Sequence, residues 1–213
     1  MQQEKSKVLF ADFDMVQAEV QWVRNSSPYS ASRNSSVELF NNYFGNGMGT
    51  IVFQTIRESK ALAYSTYAVY STPARQDDQY TMMAYVGTQA DKINEAVASM
   101  NELLTELPES PQVVGVAKAN IRKSLETDRI TDENILFNYV NAKRRGLDYD
   151  IRKTTFSDME KMNFEDIRKF HESELKNKPF TYCIVASEKN VKEEDLKKFG
   201  ELNKLSLTEI FGY

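Results

Sequence analysis

The order of strand-like and helix-like segments is the sequence feature that most constrains the fold. Residues 8–13 are apolar, and residues 16–22 alternate apolar with polar side chains, which is typical of a half-buried strand. Residues 62–70 and 80–86 are rich in Tyr, Thr and Val and predict an antiparallel hairpin. Mostly helical patterns follow until a last strong strand at residues 180–186. Because strands and helices segregate along the chain, we expect an α+β fold, a two-layer domain whose mostly antiparallel sheet has helices packed on one face.

Local signals place several helix ends and strand neighbours. Ser35 or Ser36 is expected to cap a helix that Gly45-Asn46-Gly47 ends. Ser110 followed by proline predicts the start of another helix, and residues 157–160 (SDME) fit a capping box. Residues 8–23 are predicted to form a pair of neighbouring strands.

Length and composition favour one domain that spans residues 1–213. The chain is 41% hydrophobic and shows no linker, low-complexity run or internal repeat. Its 27 basic and 31 acidic residues give a net charge of −4, which offers no electrostatic reason to bind nucleic acid or an anionic membrane. No apolar stretch approaches the roughly 18 residues of a membrane span.

The chain has too few metal-binding side chains for a catalytic zinc site. Its only histidine is His171, and its only cysteine is Cys183 in a strand-like run, where a buried position is expected. A catalytic zinc needs three protein ligands. His171 lies beside carboxylates in a helical pattern, which favours a surface or capping position. The glycines of residues 45–49 lack the Lys-Ser/Thr of a phosphate-binding loop and are interpreted as a helix stop.

Residues 39–70 carry a specific motif. They read LFNNYFGNGMGTIVFQTIRESKALAYSTYAVY, with Arg57-Glu58 followed by Leu62-Ala63-Tyr64-Ser65. This segment resembles the non-catalytic half of the pitrilysin/insulinase family of zinc metallopeptidases, the inverzincins, which reads roughly LGGG…SRLF.ELREKRGLAYSVYA. Residues 17–20 (QAEV) match an early strand of the same family. The sequence departs from the family at Lys60-Ala61, where a glycine usually precedes the leucine.

The resemblance implies that the chain is the substrate-binding half of such a peptidase. In the family, the arginine and tyrosine that match Arg57 and Tyr64 bind the substrate backbone beside a zinc held by another domain. This chain lacks the H-x-x-E-H zinc motif, so it would hold no cofactor, would be inactive alone and would be part of a zinc metalloendopeptidase. The implied partners are a zinc-binding catalytic domain or subunit and a peptide or unfolded polypeptide.

Arginine and tyrosine suit this chemistry because a zinc peptidase builds negative charge on the scissile carbonyl oxygen. Donors aimed at that oxygen or at the adjacent carbonyl stabilise the transition state, and a guanidinium stays charged at any working pH. The structural alternative is that Arg57 caps the end of its helix and Tyr64 packs half-buried.

A second function remains open, a non-enzymatic scaffold or assembly subunit with the same fold. Retention of both Arg57 and Tyr64 favours the peptidase, since a scaffold has no need of the pair. The compartment is not fixed by the sequence. The N-terminal segment, residues 1–7, is polar and has no signal peptide, and a soluble bacterial-type parent protein would be expected in the periplasm or cell envelope.

Overall fold

The computed structural model describes residues 3–212, and in that part of the chain six strands form one mixed sheet. The strands are β1 Lys7–Asp12, β2 Gln17–Pro28, β3 Ser65–Ser71, β4 Gln79–Gln89, β5 Thr181–Ala186 and β6 Glu201–Lys204. Their order across the sheet is β3-β4-β2-β5-β1-β6. The pairs β3–β4, β4–β2 and β2–β5 are antiparallel, whereas β1 is parallel to β5 and β6. The predicted α+β fold with a mostly antiparallel sheet is confirmed.

The first two strands are not neighbours, so the predicted pairing within residues 8–23 is wrong. Strand β5 lies between them, and Ile184 faces Phe10 of β1 on one side and Val20 of β2 on the other. The connecting residues 13–16 (FDMV) lack the Asn-Gly type of pair that favours a tight hairpin. Four extended residues span about 13 Å, enough to cross two strand spacings of about 4.8 Å each.

The helices cover one face of the sheet. The α-helices are α1 Asn34–Phe44, α2 Ile93–Thr105, α3 Pro111–Thr127, α4 Asp132–Arg144, α5 Ile151–Lys161, α6 Phe164–Glu174, α7 Glu193–Leu196 and α8 Leu207–Phe211. A π-helix, Phe53–Ser59, precedes β3. Strand β2 shows how the sequence sets the two faces, because Ala18, Val20 and Trp22 are fully buried while Glu19 and Gln21 stay partly exposed. The buried side chains meet the helices, and the alternate ones form an open face.

Several predicted helix ends can be compared with the structure. The Ser110 hydroxyl accepts a hydrogen bond from the Val113 amide at 3.3 Å, which confirms the cap of α3. The capping box predicted at residues 157–160 is wrong, because α5 already begins after the cap Asp150. The capping box lies instead at the start of α6, where Asn163 and Asp166 exchange hydrogen bonds. Helix α1 begins at Asn34 with no side-chain cap, so neither Ser35 nor Ser36 has that role.

Helix α4 is unusual because large apolar side chains on it face solvent. Ile135, Leu136, Phe137 and Tyr139 are 56–65% exposed. The helix is held at its C-terminal end, where the Arg144 carbonyl accepts a hydrogen bond from the Gln76 amide at 2.9 Å. Exposed apolar surface of this kind commonly marks an interaction site.

Candidate functional site

The turn between the π-helix and β3 carries the family motif. Two backbone hydrogen bonds close the helix end, from the Lys60 amide to the Thr55 carbonyl at 3.1 Å and from the Leu62 amide to the Ile56 carbonyl at 2.9 Å. Both bonds span more residues than an α-helical bond does, so the last turn is wide. Short π-helical segments occur frequently at functional sites.

Ala61 adopts a left-handed backbone conformation in this turn, with φ of 50°. That conformation costs a residue with a Cβ about 1–2 kcal/mol, whereas glycine adopts it readily. The family pattern that residues 39–70 resemble usually has glycine before the leucine. The turn therefore has the backbone geometry that glycine would allow, although this chain has alanine at position 61.

Side chains from α2 and β4 hold the turn in place. The Lys60 ammonium donates to the Ser99 hydroxyl at 2.8 Å and to the Glu102 carboxylate at 3.1 Å. The Thr88 hydroxyl donates to the Leu62 carbonyl at 2.6 Å, and the Leu62 side chain is buried. The residues that flank Arg57 and Tyr64 are thus anchored to the core, although both functional candidates lie at the surface.

Arg57 lies near the end of the π-helix and is exposed. Its guanidinium carbon lies 4.9 Å from the centroid of the Phe53 ring, one helical turn earlier, in a cation–π arrangement. Within residues 3–212, no hydrogen bond or ion pair engages the guanidinium. The N–H donors of Arg57 therefore have no hydrogen-bond partner in the described chain, and Arg57 lies in the last turn of its helix, the place that the structural alternative also expects.

Tyr64 directly precedes β3 and is 53% exposed. Its backbone amide donates to the Gly87 carbonyl at 2.9 Å, and its hydroxyl accepts a hydrogen bond from the Gln89 side-chain amide at 2.9 Å. A small cavity of about 70 Å³ lies beside it, lined also by residues 61–63, Gln89 and Lys92. Arg57 does not line this cavity, and no described contact joins the two candidate residues, which stand at opposite ends of one turn.

The glycine loop after α1 packs against β3. Helix α1 ends at Phe44, as predicted, and the Gly45 carbonyl accepts a hydrogen bond from the Ala68 amide at 3.1 Å. A Cβ at position 45 would lie 2.5 Å from the Ala68 carbonyl oxygen, closer than atoms pack. Gly45 is thus required for the approach of α1 to the edge strand that follows Tyr64. Gly47 has φ of 132°, which only glycine adopts readily.

His171 is a core residue, so the predicted surface or capping position is wrong. It is 1% exposed, and its Nε2 lies 3.0 Å from the Leu103 carbonyl oxygen. Burial lowers the pKa of the imidazole because the charged form is poorly solvated. Helix α6 packs His171 against α2. The carboxylates beside His171 in the sequence did not indicate this burial.

Glu174, one turn later on α6, is the centre of a buried polar cluster that the sequence did not reveal. Its carboxylate accepts hydrogen bonds from the hydroxyls of Ser26 at 2.9 Å, Ser27 at 3.0 Å and Tyr70 at 2.7 Å, and from Arg33 at 2.7 Å. Burial opposes ionisation of the carboxyl. The hydrogen bonds from Tyr70 and Ser26 and the charge of Arg33 outweigh it, and the pKa of Glu174 is lowered. The cluster joins β2, β3 and α6 and has a structural role.

Metal-ligating side chains do not converge in the described part of the chain. Residues 3–212 contain no group of three or more His, Cys, Asp or Glu side chains placed to hold a metal ion. Cys183 lies in β5 as predicted, but it is half-buried on the open face of the sheet, and burial raises the pKa of its thiol. Among these residues, no helix is both long and apolar enough to cross a membrane.

A mixed six-stranded sheet with helices on one face is the fold expected of an inactive domain of the pitrilysin/insulinase class. The family description "Peptidase M16 inactive domain" matches residues 2–115, which is more than half of the chain. The chain belongs to this family of inactive peptidase domains, and the resemblance noted in the sequence is confirmed.

Individual relatives agree with the family. The uncharacterized zinc protease YmxG of Bacillus subtilis (strain 168) is 33% identical over 69 residues, which is 32% of this chain and 16% of YmxG. The crystal structure of a peptidase M16 inactive domain from Pseudomonas fluorescens superposes with a TM-score of 0.70 at 15% identity, over 86% of this chain and 43% of that one. The periplasmic protease PqqL from Escherichia coli gives a TM-score of 0.64 at 14% identity, over 86% of this chain and 21% of PqqL. This chain thus spans less than half the length of these relatives.

Proposed function

We propose that this chain is the substrate-binding half of a zinc peptidase, in which Arg57 and Tyr64 bind the backbone of a peptide or unfolded polypeptide. The zinc is held by another domain or subunit of the same family. The observation that carries the proposal is that both side chains are exposed at the two ends of one anchored turn, with donors that no other group in the described chain uses.

The chemistry follows from the groups available. The guanidinium of Arg57 offers several N–H donors and a permanent charge. Tyr64 accepts a hydrogen bond from Gln89, so its own O–H proton remains free for donation. Zinc in the partner would supply polarisation of the scissile carbonyl and activation of water. In this chain the two donors bind and orient the substrate by hydrogen-bonding its carbonyl oxygens or fixing the adjacent peptide unit.

The surface of α4 supports a role beside a further domain. Its apolar side chains Ile135, Leu136 and Phe137 are more than half exposed, and neutral Asn134, Asn138 and Asn141 lie among them. Aromatic and apolar groups with few charges are typical of the core of a protein interface. We assign this surface to contact with the zinc-holding partner. PqqL is a periplasmic protease, which supports the periplasm or cell envelope as the compartment of the whole protein.

Peptide binding by the chain itself tests the proposal. Fluorescein-labelled, unfolded β-casein is titrated with the purified chain, and binding is followed by fluorescence anisotropy. We expect Arg57→Ala and Tyr64→Phe each to weaken binding by about tenfold, since each removes a hydrogen bond to the peptide backbone. The matched controls Arg129→Ala and Tyr149→Phe alter exposed residues away from the turn and should bind as the unaltered chain does.

The same titration separates the peptidase half from a scaffold. A scaffold or assembly subunit with this fold has no reason to bind unfolded casein through the turn. If the chain does not bind casein, or if both turn variants bind as well as the controls, the substrate-binding assignment is overturned and the scaffold is the better account.

A further inference from the structure

The open face of the sheet next to the turn carries two stacked tyrosines and a carboxylate. Tyr67 of β3 and Tyr85 of β4 are cross-strand partners, with ring centroids 5.2 Å apart and an angle of 22° between the ring planes. The Tyr85 hydroxyl donates a hydrogen bond to the Glu19 carboxylate on β2. An aromatic surface ending in a carboxylate therefore runs across three adjacent strands, starting at the edge strand that Tyr64 precedes.

Gly87 makes this arrangement fit. It lies between Ser65 and Glu19 in the strand register, directly beneath the tyrosine–glutamate contact. A Cβ at position 87 would lie 2.8 Å from the Tyr85 hydroxyl oxygen and 3.0 Å from a Glu19 carboxylate oxygen. Because glycine has no side chain, the Tyr85 hydroxyl and the Glu19 carboxylate can meet over the backbone at position 87.

The charge of Glu19 is not neutralised within the described chain. Residues 3–212 provide no ion pair for its carboxylate, and its described side-chain partner is the Tyr85 hydroxyl. Burial and the contact with Glu19 raise the pKa of Tyr85 to about 12, so the phenol remains a donor at neutral pH. One carboxylate oxygen receives that donor, and the other has no described partner.

We infer that this surface is a subsite for a cationic side chain of the bound peptide, with arginine as the preferred residue. The inference rests on the proposed function, because the peptide is brought to the edge of the sheet by Arg57 and Tyr64. The Glu19 carboxylate lies over Gly87 of β4, one strand spacing of about 5 Å from β3, which is within the reach of an arginine side chain. Its stem then lies over the Tyr67 and Tyr85 rings, and its charge reaches Glu19.

Two interactions favour a cationic side chain at this subsite. The face of an aromatic ring attracts a cation, and the planar guanidinium of arginine stacks on such a ring better than an ammonium does. A carboxylate also forms charge-assisted hydrogen bonds with a guanidinium, often through both oxygens. A neutral side chain of the same shape gains the stacking contact but neither charge term.

The test uses two fluorescein-labelled peptides of about ten residues, identical except for arginine or citrulline at the central position. Citrulline has the shape of arginine without its charge. Anisotropy titrations with the full chain should show the arginine peptide binding about tenfold more tightly, as expected for a cation that contacts an aromatic ring and a partly exposed carboxylate. Glu19→Gln should abolish most of this preference and leave the affinity for the citrulline peptide unchanged.

The controls separate this subsite from the turn. Glu201→Gln alters an exposed carboxylate at the opposite edge of the same sheet and should keep the arginine preference. Tyr67→Ala should weaken both peptides by removing the stacking surface. Equal binding of the two peptides by the unaltered chain, or a preference that survives Glu19→Gln, overturns the subsite. If Arg57→Ala binds the citrulline peptide as tightly as the unaltered chain does, the proposed function is overturned instead. If the unaltered chain binds neither peptide, the proposed function and the subsite are both overturned.

Discussion

The Tyr64 hydroxyl accepts a 2.9 Å hydrogen bond from the side-chain amide of Gln89, at the end of the neighbouring strand. A phenol that accepts a hydrogen bond keeps its own proton for another partner. The hydrogen bond also links the half-exposed ring to the end of β4. Gln89 is therefore a positioning residue for the donor that we assign to the peptide backbone, and the sequence motif alone did not identify it.

Removing the Tyr64 hydroxyl should slow catalysis by the complete zinc-containing assembly. We expect Tyr64→Phe to lower peptide turnover by about 10²-fold, and Arg57→Ala to have a similar effect, if each donor acts mainly in the transition state. Zinc content and the unfolding temperature should stay constant, since both residues are exposed and neither is a metal ligand. Arg75→Ala, at an exposed position in the loop between β3 and β4, is the control, and full turnover by both turn variants would contradict their assignment.

The chain on its own should contain no stoichiometric zinc. It has one histidine and one cysteine, whereas a catalytic site needs three protein ligands. Emission spectroscopy of the purified chain after dialysis against micromolar zinc should detect far less than one zinc per molecule. The same sample should not cleave labelled casein. One tightly bound zinc per chain, together with proteolysis that a chelator stops, would contradict this expectation.

Replacing Ala61 by glycine should stabilise the protein. The alanine holds φ of 50°, where glycine avoids a cost of about 1–2 kcal/mol, although glycine also makes the unfolded chain more flexible. We expect Ala61→Gly to raise the free energy of unfolding by about 0.5–1 kcal/mol in urea denaturation. The matched control Ala119→Gly, at an exposed position inside α3, should lower it by about 1 kcal/mol. A loss of stability in Ala61→Gly would show that the turn is not strained.

The β3–β4 hairpin and the start of α3 were predicted correctly because each is specified by residues that lie close together in the sequence. The alternation in residues 62–70 and 80–86 predicted the β3–β4 hairpin, and Ser110 with its proline predicted the start of α3. Arg57 and Tyr64 could be found only because their motif resembles a family, since an exposed arginine or tyrosine carries no periodic signal. The single domain over residues 1–213 stays a prediction.

Non-local arrangements could not be predicted in this way. The position of β5 between β1 and β2 depends on a segment about 170 residues further along the chain, and no local pattern specifies that neighbour. The short strand β6 and helix α8 have too few residues for a periodic signal. His171 and Glu174 resemble surface residues in the sequence, and the packing of α6 on α1, α2 and the sheet makes them buried.

The buried carboxylate of Glu174 should make stability depend on pH. Its folded-state pKa lies below the ordinary value of 4.5, so its stabilising effect is complete above pH 4.5 and is lost as pH falls through the folded pKa. We expect Glu174→Gln to lower the free energy of unfolding by about 3 kcal/mol at pH 7, because the hydroxyls and Arg33 lose a charged acceptor. The difference between variant and unaltered protein should shrink in urea denaturation below pH 4.5. Glu172→Gln, on the exposed side of the same helix, should change stability by less than about 0.5 kcal/mol at either pH. A Glu174→Gln difference that stays constant from pH 7 to pH 3 would contradict a lowered pKa and show that only the shape of the side chain matters there.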